Sequence, residues 1–321
     1  MLHRFWGSSF HCSLLVGVLA ILGTFLKCGN EDLDFFFTSD TLYLPSIYKD
    51  VFLEGGRLSD WSLNPAPNFF PDMGVYFLLH WIFGDLRWAH YVFPMVQFVV
   101  TAFLFRAIVK RALPEASETS IAMGVLLLVL VMLTGWWGED FGFAFHLLVN
   151  SFHGGAFVNA LLGTWLLLRA YEHPTVRQSL VLSTVIMLGS FSDKLFWVMF
   201  PIPATMVCLL LALHSTHWQR SAFLGALMAF SCWAGHALLL FLDARLPMQI
   251  EKPYAYLAFD RVVFSWGQLL EMLRFYLNST PLGAGSIVMG LVAMVCAWVI
   301  AVRSVLERRR IPALSRTVAS E

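Results

Sequence analysis

The sequence predicts an all-α fold: a polytopic membrane helical bundle of about eight transmembrane helices. A long extracytoplasmic first loop containing interfacial helices completes it. Three observations predict this. Of 321 residues, 58% are hydrophobic and only 13% charged, with mean hydropathy +0.70; a soluble domain carries about 25% charge. Apolar stretches close to the roughly 20 residues needed to cross a bilayer recur along the chain. Basic residues concentrate on alternate loops, as the positive-inside rule demands.

The candidate spans are 10–27, 88–109, 119–138, 153–171, 177–193, 195–213, 220–242 and 283–303. The first follows Arg4 and contains the apolar run Ser13 to Leu26. No small-x-small cleavage site follows it, so it reads as a retained span. Segment 69–84 is apolar but short, and it opens with Pro71 and Asp72. If it does not cross, the inner side holds 12 of the 21 Lys and Arg and 5 of the 21 acids. If it crosses, every later loop flips and the Arg303–Arg310 cluster moves outside. Segment 69–84 is therefore expected to be an interfacial or half-inserted helix, and both termini to be cytoplasmic. The chain reads as one membrane domain. Loop 28–87 and loop 243–282 face out, with a six-span bundle over 88–242 between them and a cytoplasmic tail over 304–321. An intact bacterial inner-membrane pattern fits.

Composition also excludes. Formal net charge is zero and no basic patch is interleaved with aromatics, so nucleic acid is not an expected partner; membrane lipid is. Cys12, Cys28, Cys208, Cys232 and Cys296 are scattered, without a C-x-x-C pair, and read as packing residues. Phosphate-binding P-loops, dinucleotide fingerprints, G-x-S-x-G and H-E-x-x-H do not occur.

Polar residues gather at the outer face. Asp40 follows Glu31, Asp32 and Asp34 and opens an amphipathic run, Leu42 to Phe52, which should lie on the membrane and fix its position. A carboxylate held there can act as general base on a hydroxyl, or ligate a divalent cation. Asp72 is either a first-turn acid suited to a helix dipole or a second carboxylate facing Asp40. Ser192-Asp193-Lys194 interrupts two apolar runs. Asp193 and Lys194 either neutralise each other, or Lys194 anchors a lipid phosphate. Glu139, Asp140, His146 and His153 lie at the next outer turn; His153 reads as a helix-start cap or a catalyst. Seven-residue spacing of His146 and His153 does not define a metal site. Arg245, Lys252 and Arg261 sit among Tyr254, Tyr256, Phe259 and Trp266, as snorkelling bases at an interface do. Asn278-Ser279-Thr280 matches a glycosylation acceptor.

These residues resemble the C-type integral-membrane glycosyltransferases, which include protein mannosyltransferases and lipid A aminoarabinose transferases. An early loop acid stands in Ser39-Asp40-Thr41-Leu42-Tyr43, where the family typically has Asp-Glu and then an aromatic. Gly55-Gly56 precedes a proline-rich stretch and Phe70-Pro71-Asp72-Met73-Gly74-Val75-Tyr76, closing on Phe83-Gly84. Bases Arg106 to Arg111 end the next span, and Ser192-Asp193-Lys194 matches a small-residue turn with an outer lysine. Thr41 and Asp72 depart from the usual pattern. The resemblance implies a polyprenyl-phosphate-linked sugar as donor, hexose or pentose, and an unknown hydroxyl as acceptor. It implies Asp40 as base and Asp72 as supporting acid. Lys194, with Arg245 and Lys252, would contact the donor phosphate, with Asp193, His153 and Tyr43 in support. A divalent cation is a candidate cofactor. Two other classes compete: a non-catalytic, lipid-binding scaffold, and a transporter lined by mid-span polar residues such as Gln97, Asn159 and His236.

Overall fold

The computed structural model describes residues 2–27, 39–137, 150–151, 153–245 and 249–251, with 267, 268, 270, 271 and 274. The chain divides into two compact units, Met1–Lys252 and Pro253–Glu321, and the elements below belong to the first. In order they are α1 (Leu2–Lys27), α2 (Tyr43–Tyr48), β1 (Ser62–Leu63), α3 (Gly74–Phe83) and α4 (Leu86–Ala112). Next come α5 (Glu118–Trp137), α6 (Gly154–Glu172), α7 (Val176–Ser192), α8 (Leu195–Met199), α9 (Pro201–His214), α10 (Trp218–Arg245) and β2 (Gln249–Ile250).

Helices occupy seven of the eight expected segments; the eighth, 283–303, lies outside the described residues. Among the described residues, three helical stretches are long and apolar enough to cross a membrane: Leu86–Ala112, Leu195–His214 and Trp218–Arg245. Their outward residues are apolar. Met206, Leu210, Leu213, Phe230, Trp233 and Phe241 all stand more than half exposed. Such a surface is costly in water and suits hydrocarbon.

Segment 195–213, expected as one continuous span, is two helices. Phe200 adopts φ −138, ψ −68 and Pro201 starts α9. Proline has no N–H to give to the preceding turn, so the helix breaks and restarts with proline in its first turn. Segment 69–84 also differs in form from a uniform helix. Phe70 is extended, the Phe70–Pro71 peptide is cis, and a wide turn over Phe69–Met73 leads into α3. With 10 residues, α3 is about 15 Å long, half a bilayer core. It closes on Gly84 in the left-handed region at φ 63. Asp85 then caps α4, accepting from the N–H groups of Arg87 and Trp88 at 2.7 and 3.2 Å.

Three apolar clusters hold the unit together. Helices α1, α4 and α5 meet through Phe10, Leu14, Ile21, Phe98, Ile121 and Val125. Helices α6 to α10 meet through Leu166, Leu182, Ile186, Phe196, Phe200 and Met228. The first loop has its own core, in which Tyr43, Leu44 and Ile47 of α2 pack on Tyr76, Leu79 and Phe93. β1 pairs in parallel with β2, and the N–H of Glu251 donates to the Leu63 carbonyl at 2.8 Å. This ties the chain beyond α10 to the first loop. The bases near the end of α4 find acids: Arg106 forks onto Glu118 at 3.0 and 2.8 Å, and Arg111 pairs with Glu172.

Small residues let these helices approach. A Cβ on Gly235 of α10 would collide with the Met187 carbonyl oxygen and the Ser190 side chain of α7. Backbone cannot yield as a flexible side chain can. Gly235→Ala is therefore expected to cost about 1–3 kcal/mol, the usual cost of overpacking. A thermal-unfolding series in detergent checks this. Gly23→Ala, where an added Cβ would meet nothing beyond its own helix backbone within 4 Å, should not lower the midpoint.

Candidate functional site

The site is built where the first loop docks onto the ends of α6 and α7. Backbone polar groups of the loop are buried there and must find partners. The Asn68 N–H donates to the Ser192 carbonyl at 3.3 Å, and the Phe70 N–H to the Ser192 hydroxyl at 2.9 Å. The Asn159 side-chain amide of α6 donates to the Phe70 carbonyl at 3.2 Å. That of Asn150 donates to the Thr41 carbonyl at 2.9 Å. Asn68, Ser151 and His153 all occupy the left-handed region, at φ 56, 67 and 61. Non-glycine residues adopt it rarely, and such outliers cluster at functional sites.

This clamp drives Asp72 under the start of α6. Asp72 is 1% exposed and faces Gly155, whose replacement by any larger residue would strike its carboxyl and Pro71. The N–H groups of Ser151 and Gly155 lie nearby and favour its anion, but neither reaches full hydrogen-bonding geometry with it. Burial dominates and, with Asp193 adding to it, pushes the carboxyl up to about 7. A cavity of about 80 Å³ adjoins Asp72, lined by Val75, Phe93, Gln97 and Val158. So Asp72 serves the start of another helix rather than its own, and its charged neighbours are Asp193 and His153.

Asp193 is 4% exposed. One carboxylate oxygen receives the Leu195 N–H at 2.8 Å, and the other meets His153 Nδ1 at 2.6 Å. Asp193 is thus hydrogen-bonded to His153, and it makes no ion pair with its neighbour Lys194. The Asp193 hydrogen bond is the chief cause that raises the His153 pKa above its ordinary value, with Asp72 and Asp40 adding attraction. His153 stands just ahead of α6, with its side chain 43% exposed. Asp40 is exposed and within electrostatic reach of it. Asp40, Asp72, His153 and Asp193 therefore come together from three distant stretches of chain.

The remaining expected residues stand apart. Tyr43 is buried in the loop core; burial pushes its hydroxyl up to about 12, against a pull from the Asn64 backbone. Lys194 is half-buried, makes no ion pair among the described residues, and lies near His236 of α10. Beside it, α8, α9 and α10 enclose an apolar cleft of about 400 Å³, lined by Trp197, Ile202, Met206, Trp233 and His236. Arg245 is exposed at the end of α10, 5.6 Å over the Phe241 ring. Lys252, Arg261, Glu31, Asp32, Asp34, Glu139, Asp140, His146 and Asn278 lie outside the described residues. Among the described residues, no three of His, Cys, Asp and Glu are grouped to hold a metal ion, so a divalent cation has no ligand set to which a step can be assigned.

Sequence reasoning did not single out Asn150, and it treated Ser192 only as part of a turn. Both are polar residues in apolar surroundings, which was the available signal. Asn159 stood out as a transporter residue, and its amide holds the loop instead. Compared with family models, curated proteins and solved structures, the chain matches none.

Asp72 makes stability depend on pH. Its folded value of about 7 lies above the ordinary 3.8. Between these, the folded chain keeps a proton that the unfolded chain has lost, so stability falls as pH rises through that window and levels off above it. Asp72→Asn removes this dependence. Its stability relative to the parent should grow across the window, by on the order of 2–4 kcal/mol. Thermal melts of both proteins from pH 4 to 8 measure it.

Proposed function

We propose that this chain transfers a sugar from a polyprenyl-phosphate donor to a hydroxyl acceptor at the extracytoplasmic face of a membrane, with inversion at the anomeric carbon. In this reading the eight expected segments all cross, both termini are cytoplasmic, and the membrane is a bacterial inner membrane. The observation that carries the reading is the meeting of three acids and a histidine where a polar loop docks onto apolar helices. A hydroxyl becomes a competent nucleophile when such a group takes its proton. Asp40, the exposed member, receives the acceptor hydroxyl, and the cluster takes up the proton.

The cleft beside Lys194 supports a lipid-linked donor. Hydrocarbon fits its apolar walls, and Lys194, within electrostatic reach of the lining residue His236, suits a phosphate headgroup. The resemblance adds Arg245 and Lys252 as further candidate contacts for the donor phosphate.

Asp40→Asn keeps size and polarity but loses the negative charge that holds the hydroxyl and stabilises positive charge developing beside it. It should lower transfer by roughly 10²-fold or more while membrane insertion and thermal midpoint stay unchanged. Wild-type transfer rates in this variant would remove the basis of the reading.

A further inference from the structure

We propose that His153, held by Asp193, is the group that removes the proton from the acceptor hydroxyl, while Asp40 holds that hydroxyl in place. This rests on the glycosyl-transfer reading above and names the base within it.

Geometry sets out the arrangement. Nδ1–H of His153 donates to Asp193 at 2.6 Å, so neutral His153 presents Nε2 as acceptor. The Leu195 N–H fixes the other Asp193 oxygen at 2.8 Å, so the buried carboxylate is held at both ends. The His153 carbonyl is fixed too, accepting from the Phe157 N–H at 3.1 Å. An orienting carboxylate, an imidazole and a reacting hydroxyl in line is the usual arrangement for activating a nucleophile. The imidazole is the part of this pair that reaches the surface, at 43% exposed against 4% for Asp193.

Charge points the same way. Among the described residues, the charged groups that act on His153 are Asp193, Asp72 and Asp40, all acids. An imidazolium formed among them is stabilised as it forms. Carboxylates in water titrate near 4 and are weak bases at neutral pH, whereas an imidazole near neutrality is well matched to the task.

The step balances without a further reactant. The acceptor O–H bond breaks and its proton passes to His153 Nε2. The oxygen lone pair forms the new bond to the anomeric carbon. The bond from that carbon to the phosphate oxygen breaks, and its electron pair leaves with the lipid phosphate. His153 then returns the proton to water.

The test uses the full chain in nanodiscs with a panel of polyprenyl-phosphate hexoses and pentoses, following kcat/KM against pH. Protonated His153 cannot act as base, so activity should rise with pH along a limb at or above about 6.5. Asp193→Asn removes the main cause holding that limb up and should move it to lower pH. His153→Gln should lose on the order of 10²–10⁴-fold and the limb with it. Asp193→Asn retains the imidazole, so the limb can still be read where His153→Gln is unstable. A limb below about pH 5 that Asp193→Asn leaves in place, or a His153→Gln rate within about threefold of the parent, would overturn the proposal while transfer itself stands. Absence of transfer by the wild-type chain with every donor overturns both.

Discussion

Everything at the polar end of this molecule depends on how a loop with its own backbone polar groups can be pressed against apolar helices. Unpaired N–H and C=O groups there cost several kcal/mol each in a medium without water. The chain meets this cost with three side chains of the bundle, Ser192, Asn159 and Asn150, while Asn68 braces the loop from within by donating to the Ala66 carbonyl. Together they fix the loop in one position. Asp72 is carried under α6 by the same clamp. Its carboxyl is therefore protonated more readily than an exposed acid.

From this constraint the electrostatics of the site follow. Asp193 takes His153 as its hydrogen-bond partner because the turn after α7 buries its carboxylate beside that imidazole. Lys194 is left on the side of α10, beside an apolar cleft. Acid chemistry and the lipid-facing cation thus occupy neighbouring but separate places. A substrate with a reacting sugar and a hydrocarbon tail has the same division of character.

Much of the helical layout was legible because span length, apolar runs and charge asymmetry are strong, local signals. The break at Phe200 could be read from Pro201 once a continuous span was doubted, since proline at a first turn starts a helix as readily as it ends one. Asp40, Asp72, Asp193 and His153 could be picked out because charged and polar residues are conspicuous in a chain this apolar. Their mutual arrangement could not. The pairing of His153 with Asp193 joins residues 40 positions apart. The contact of Asp72 with Gly155 joins the first loop to the start of α6 and leaves no periodic mark in the sequence.

The central claim is that this end of the bundle handles a phosphate-bearing polyprenyl lipid. Native mass spectrometry of the purified chain, with extraction of co-purified lipid, tests it most directly, comparing wild type with Lys194→Ala. The account predicts a bound polyprenyl phosphate or its sugar ester in the wild type, depleted in the variant, with the mass identifying the sugar. Bulk phospholipid alone, in equal amounts in both, would contradict it and favour a lipid-binding scaffold.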